Sequence, residues 1–244
     1  RSRPRTFLIH ENFTITDPYE GTPSNSLKLF TKDFKQVSEL SEKAYSSTRV
    51  PSIQSEACYI QGRAHHAAGK IKVAHKFYEQ SVKLDPNFPP AKFALAQTHV
   101  HNKNYDDAIS RLEEVSLSVQ ESPEVLALLG LLYAMKPNKS TQALKLLKKA
   151  VSFDRKNAKL LLLLASVLQR DSHNYDEALT SYAAAFSILS KSSNPIPHTA
   201  TANVGTINFQ KGNYDLAESN FVTALKQLTS LDDTITKTTH HLLT

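Results

Sequence analysis

Apolar side chains recur along this chain at intervals of three and four residues, and that pattern itself repeats. Small alanines stand at Ala74, Ala108, Ala143, Ala178 and Ala217, with spacings of 34, 35, 35 and 39. Four residues after each comes a large side chain: Tyr78, Leu112, Leu147, Tyr182 or Phe221. Seven residues after each comes a compact one: Ser81, Val115, Ala150, Ala185 or Ala224. Twelve or thirteen residues before each alanine lies a further small residue, Gly62, Ala96, Gly130, Ala165 or Gly205, and three residues after four of these stand His65, His99, Tyr133 and Leu168. Spacings of three, four and seven put side chains on one face of a helix. A small residue late in one helix, opposite a small residue early in the next, lets the two axes approach closely. The large residue one turn further on fills the space beside that contact.

A unit near 34 residues built from two such helices is the tetratricopeptide pattern, and the sequence predicts an all-α chain, a right-handed α-solenoid of helix-turn-helix repeats. Repeats are expected at 55–88, 89–122, 123–157, 158–197 and 198–231, with a partial repeat at 22–48, where Phe34, Val37, Leu40 and Ala44 keep helical spacing. Asn-Tyr-Asp occurs at 104–106, 174–176 and 213–215, at the expected entry to the second helix, where the aspartate serves as first-turn acid or cap. Leu84-Asp85-Pro86 marks a helix end, because proline cannot continue the helix. The stretch from Lys191 to Pro197 reads as an extended inter-repeat loop that accounts for the spacing of 39. Residues 1–21 show no helical period and read as an extended arm of zero net charge, and residues 233–244 read as a truncated helix.

Composition narrows the class. Six glycines in 244 residues fall well below the usual share of about 7%, which argues against glycine-rich phosphate loops and tight-hairpin barrels. A single cysteine excludes an intramolecular disulfide framework and fits a reducing compartment. The longest apolar run, Leu160 to Leu168 interrupted by Ser166, is far short of the roughly 20 residues that span a bilayer. The net charge of +6 permits an acidic partner without requiring nucleic acid. The chain opens on Arg1 with no apolar leader, and both ends are expected to be cuts from a longer protein.

In stacked repeats the first helix of each lines the concave wall. The expected outward positions are Glu56, Tyr59, Arg63 and His66; Phe93, Gln97, Val100 and His101; Glu124, Ala127, Leu131 and Ala134; Lys159, Leu162, Ser166 and Gln169; and Ala202, Thr206, Phe209 and Gln210. Tyr59, Phe93, Leu131, Leu162 and Phe209 make this wall more apolar than a solvated face, and such stripes mark contact surfaces. An extended peptide or an amphipathic helix suits such a groove. The alternative is that these side chains pack between neighbouring repeats.

No catalytic constellation is legible, and the chain is expected to be non-enzymatic, with no cofactor and no metal. His65, His66, His99 and His101 lack the cysteine or carboxylate that would complete a zinc shell, and His65 and His99 stand where the repeat places a large ring. Cys58 occupies a packing position. Residues 136–141 lack the glycines of a phosphate loop. Lys145, Lys148, Lys149, Arg155 and Lys156 read as a solvated helix face, so direct nucleic-acid binding is not expected. The positions at which some tetratricopeptide modules clamp a chaperone's terminal carboxylate hold Tyr59, Arg63, Ala94, Glu124 and Leu128, so that clamp is absent.

The order of particular residues goes further than the repeat. Ser55-Glu56-Ala57-Cys58-Tyr59 followed by Arg63 and His66, then Phe93-Ala94-Leu95-Ala96-Gln97, Leu129-Gly130-Leu131-Leu132-Tyr133-Ala134, Ala178-Leu179 with Ile188-Leu189, and Asn203-Val204-Gly205 with Phe209 resemble, in the same order, the large tetratricopeptide scaffold subunit of the RNA polymerase II-associated factor (PAF) complex. Phe30 to Val37 is similar to a further segment of that family. The resemblance covers roughly 22–244. Ala202 replaces one of two adjacent asparagines of the family pattern, and Asn208 replaces a histidine. What it implies is a nuclear, non-catalytic scaffold that binds other subunits of the complex and the RNA polymerase II machinery, and supports elongation and histone modification. Glu56, Tyr59, Arg63, His66, Phe93 and Gln97 both match the family and face the expected groove, and are the expected partner contacts. The alternatives are a scaffold of another multiprotein assembly, or a regulatory tetratricopeptide segment of a larger enzyme.

Overall fold

The computed structural model describes residues 34–119, 122–172 and 174–242, excepting the side chains of 171–172 and 230–242. The described residues form helices and no strands. In chain order these are α1 (Phe34–Ser47), α2 (Pro51–Ala67), α3 (Ile71–Leu84), α4 (Pro89–His101), α5 (Tyr105–Ser118), α6 (Pro123–Met135), α7 (Ser140–Phe153), α8 (Ala158–Val167), α9 (Tyr175–Lys191), α10 (His198–Gln210) and α11 (Tyr214–Leu242). A π-helical turn, Leu168–Ser172, continues α8. None of the described helices is long and apolar enough to cross a membrane.

Local chemistry sets the boundaries. Proline opens α2 and α4, where its fixed φ and missing N–H suit the first turn. The side chain of Asn157 accepts from the backbone N–H groups of Lys159 and Leu160 at the start of α8, and that of Asn174 accepts from Glu177 at the start of α9. Of the two roles open to the aspartate of Asn-Tyr-Asp, the structure selects the first-turn acid: asparagine takes the cap position and Asp106 and Asp176 follow inside the helix. The turn between paired helices recurs. The N–H of Gly69 donates to His66 and that of Lys70 to His65, with Gly69 at φ 74°. Lys103 and Asn104 do the same to Val100 and His99, and Gly212 and Asn213 to Phe209 and Asn208. This double bond around a left-handed residue satisfies the carbonyls that the first helix leaves open.

The chain divides into two compact units between Tyr133 and Ala134. In the first, α2 packs on α1 and α3, and α4 on α3 and α5. Its core gathers Val37, Tyr59, Ile60, Ala64, Ala74, Tyr78, Ala91, Ala94 and Leu95, with Phe34, Val82 and Phe88 against it. In the second, α9 packs on α8 and α10, and α10 on α11; one cluster joins Ala158, Leu161 and Ala185 to Val151, Leu162, Ile188 and Leu189. All five repeat alanines are buried, as are the five compact residues seven positions on. Ser55 and Ser81 close the α2–α3 pair by donating reciprocally to each other's carbonyl, at 2.9 and 2.8 Å.

Three details depart from the sequence expectation. In α1 the inward residues are Val37 and Ser41, with Phe34 packed beside them, while Leu40 and Ala44 are exposed. Ser41 turns inward because its hydroxyl donates to the Val37 carbonyl and so carries no unsatisfied polar atom into the core. The 39-residue spacing arises partly within α9, which has 17 residues against 14 in α3, α5 and α7, and only then in the loop before α10. Helix α11 runs unbroken to Leu242 through the boundary expected near residue 231. The extended arm at 1–21 lies outside the described residues.

Candidate functional site

Of the six expected contacts, four stand on α2 and two on α4. Glu56, Tyr59, Arg63 and His66 follow one another at spacings of three and four, which keeps them on one side of α2. Tyr59, Arg63 and His66 come together around Tyr78 of α3. The Tyr59 ring lies 6.0 Å from that of Tyr78 and packs edge-on to Phe88 at 5.4 Å. The Arg63 guanidinium sits over the Tyr59 ring at 5.8 Å, close enough for a cation–π attraction. The His66 Nδ1 is 3.4 Å from the Tyr78 hydroxyl. On α4, Phe93 and Gln97 are one turn apart.

Exposure corrects the picture of an apolar wall. Tyr59 is 4% exposed and Phe93 1%, so both are part of the packing. Ala127, Leu131 and Ala134 are buried as well, and Leu162 is half-buried within a core cluster. The cause at Tyr59 is Phe88, which precedes α4 and covers the ring. Helix α6 is apolar at nearly every position from Val125 to Ala134, and a helix apolar all round is buried all round. What reaches solvent on the expected wall of the first unit is mainly polar: Glu56 and His101 are exposed, and Arg63, His66, Gln97 and Val100 are half-buried. In the second unit Lys159 and Gln210 are exposed, Ser166, Gln169, Ala202 and Thr206 half-buried, and Phe209 exposed.

A polar network ties the second unit together beside the π turn. Asn203 donates to the Tyr182 hydroxyl at 3.0 Å, Tyr182 donates to the Gln169 side chain at 3.3 Å, and Gln169 donates to the Asn203 carbonyl at 3.3 Å. Burial pushes the Tyr182 phenol up to about 12, even though Asn203 hydrogen-bonds its oxygen and pulls the other way. The Arg170 guanidinium caps the Ala134 carbonyl at 2.6 Å. These groups occupy one another, which makes them structural members of the fold.

The histidines also take packing roles. His65 stacks on Phe77 at 5.3 Å with the rings 8° from parallel, and His99 meets His75 edge-on at 4.9 Å. His75 bonds Thr98 across the α3–α4 contact at 2.7 Å. Burial holds the pKa of His65 below the ordinary imidazole value, helped by Lys70. His99 is held down by burial, His75 and Arg111, against the opposing pull of Asp107 and Glu79. Its buried Nδ1 has no hydrogen-bond partner among the described residues. No group of three histidine, cysteine or acidic side chains among the described residues is placed to hold a metal. Cys58 is buried, and burial pushes its thiol up to about 11, the reverse of what an activated thiolate needs.

Comparisons with known proteins agree with this geometry. A family model described as tetratricopeptide repeat matches residues 65–132. The chain is 25% identical over 215 residues to the protein CTR9 homolog of Arabidopsis thaliana, covering 85% of this chain and 19% of that protein. It is 24% identical over 208 residues to the RNA polymerase-associated protein CTR9 of Caenorhabditis elegans, covering 82% and 18% respectively. The chain thus spans about a fifth of the length of these relatives. Among solved structures, PilF of Pseudomonas aeruginosa superposes with a TM-score of 0.69 at 18% identity, over 84% of this chain and 88% of that one. A thermophilic TPR protein of Thermus thermophilus does so at 0.55 and 19% identity, over 78% and 100%. The chain has the all-α fold of tetratricopeptide-repeat solenoids and resembles the CTR9 proteins over most of its length.

Proposed function

We propose that this chain is a section of a non-catalytic scaffold that binds other subunits of the PAF complex and, through them, supports RNA polymerase II elongation and histone modification in the nucleus. The observation that carries this reading is the similarity to CTR9 proteins along some 85% of the chain, in a fold whose helices present faces and no reactive cluster among the described residues. The repeats at 55–88, 89–122, 123–157, 158–197 and 198–231 are the units of that scaffold in this reading. The titratable side chains also favour it, because burial holds Cys58, His65 and His99 toward their neutral forms.

The partner contact assigned to the first unit changes in kind. Glu56, Arg63, His66 and Gln97 are the residues that meet the partner, while Tyr59 and Phe93 lie beneath them and hold α2 and α4 in place. Such a surface suits a polar, extended segment whose backbone and side chains take hydrogen bonds from Arg63 and Gln97. Affinity capture of the intact protein, with identification of what is recovered, tests the reading. Polymerase-associated subunits are the expected recovery; their absence from captures that retain a folded protein overturns it.

A further inference from the structure

The positive charge of this chain is concentrated in one place. Residues 136–159 hold eight lysines and arginines and one acid, Asp154, a net charge of +7 against +6 for all 244 residues. The remaining residues together are therefore close to neutral, at −1. Helix α7 carries the centre of this segment. Its Ala143, Leu147 and Ala150 are buried, while Lys145, Lys148 and Lys149 are exposed, as are Arg155 and Lys156 in the turn that follows. A solvated helix face usually intersperses both signs of charge, yet α7 holds no acid from end to end.

The fold answers only part of this charge. Lys148 pairs with Glu177 of α9 at 2.7 Å. Asp154, the one acid of the segment, is held by the Asn157 side chain, which donates to it at 3.0 Å. Lys145, Lys149, Arg155 and Lys156 make no ion pair among the described residues. Lys145 stands three and four residues before Lys148 and Lys149, a spacing at which like charges repel across a helix surface. The helix dipole does not account for them, because the last turn of α7 contains no basic residue. An anionic partner relieves that repulsion. The face also has an apolar centre: Phe153, at the end of α7, is 43% exposed, with the Lys149 ammonium over its ring at 5.8 Å. Lys145, Lys149 and Phe153 follow at four-residue spacing and form a ridge about 12 Å long, the span of about four extended residues.

We propose that the exposed ridge of α7 and the turn after it bind an acidic polypeptide segment with one apolar side chain at its centre. Its carboxylates meet Lys145, Lys149, Arg155 and Lys156, and its leucine or phenylalanine packs on the open part of the Phe153 ring. Two observations favour this occupant over nucleic acid. Seven of the eight cations are lysines, point charges without the planar fork that grips phosphate and base edges. The one aromatic ring of the segment carries a lysine over its face, where a single-strand platform would stack a base. The ridge lies on a different helix from the polar surface of α2 and α4, and the partner proposed there does not require it.

The probe is a fluorescent heptapeptide with three acidic residues on each side of a leucine. It is titrated against the intact chain by anisotropy at about 0.15 M salt, where exposed charges are screened beyond roughly 8 Å. Saturable binding is expected. Lys145→Glu with Lys156→Glu is expected to weaken it about tenfold or more, because two attractions become repulsions. Phe153→Ser is expected to weaken it about threefold at any salt concentration, through lost apolar contact. All three positions are exposed; circular dichroism checks that each variant is folded, and Phe153→Ser carries the test if the double variant is not. Absence of saturable binding, or binding indifferent to either folded variant, overturns the proposal. Tighter binding of a DNA duplex of equal charge also overturns it, since the ridge would then be a phosphate site. Each result is read on the purified chain, so it stands or falls apart from the capture of polymerase-associated subunits.

Discussion

The α2–α3 and α10–α11 hairpins are built to one plan and end in different environments. In both, a glycine of the first helix faces the large ring of the second: a Cβ on Gly62 would lie 2.4 Å from the Tyr78 ring, and one on Gly205 would lie 2.9 Å from the Phe221 ring. In both, a glycine at positive φ closes the turn, Gly69 at 74° and Gly212 at 80°. Yet Tyr78 is sealed beneath Tyr59 and the α4 residues, while Phe221, packed on Gly205 on one side, remains 41% exposed. The plan of a hairpin is therefore written in its own residues, whereas the burial of its large ring is supplied by the neighbour.

That difference predicts unequal costs for equal substitutions. Tyr78→Ala is expected to destabilise the α2–α5 region by about 3–5 kcal/mol, as removal of a buried aromatic does, and Phe221→Ala by about 1 kcal/mol, measured by denaturant unfolding. Equal losses would break the comparison. Gly62→Ala is expected to cost about 2–3 kcal/mol because the Tyr78 ring is fully buried, and Gly205→Ala less, about 1 kcal/mol, because the half-exposed Phe221 ring can move while only the Asn220 Cβ, 3.2 Å away, has to give.

Acid is expected to act on the first region. The folded state favours neutral His99 and His65, so it binds fewer protons than the unfolded chain as pH falls through 6.5. Their contribution is full above that pH and is lost below it. Between pH 7.5 and 5.5 the melting temperature is therefore expected to fall, as followed by thermal unfolding. His99→Phe keeps a ring against His75 and should flatten that dependence. Hydrogen-exchange protection in α10 should stay constant by comparison. Smallest of all is the expected difference between Gly69→Ala and Gly212→Ala. Each places a side chain at positive φ with nothing within 4 Å, costing about 1 kcal/mol in either hairpin.

The hairpin plan was legible from spacing alone, because Ala74, Tyr78 and Ser81 and their counterparts follow the helical period and meet within one pair of helices. The Asn-Tyr-Asp entries and the Leu84-Asp85-Pro86 end were legible for the same local reason. The wall was not. Spacing tells which side of α2 carries Tyr59, but the ring is covered by Phe88, a residue outside either helix of that pair. Helix α6 did carry a signal, in the unbroken apolar run from Val125 to Leu129. Read as a helix buried on every side, it would have removed Ala127, Leu131 and Ala134 from the wall. The exposure of Phe221 was hidden by the repeat itself: the residue occupies a core position by pattern, and only the structure shows its ring covered on the Gly205 side and open on the other.

The central claim is that the polar surface of α2 and α4 holds a partner of the polymerase-associated assembly. Quantitative affinity capture of the intact protein carrying Arg63→Glu with Gln97→Glu, beside Lys149→Glu as a distant surface control, tests it most directly. The account predicts that the double variant stays folded and loses most of the recovered polymerase-associated subunits while the control keeps them. Undiminished recovery by the folded double variant would contradict it.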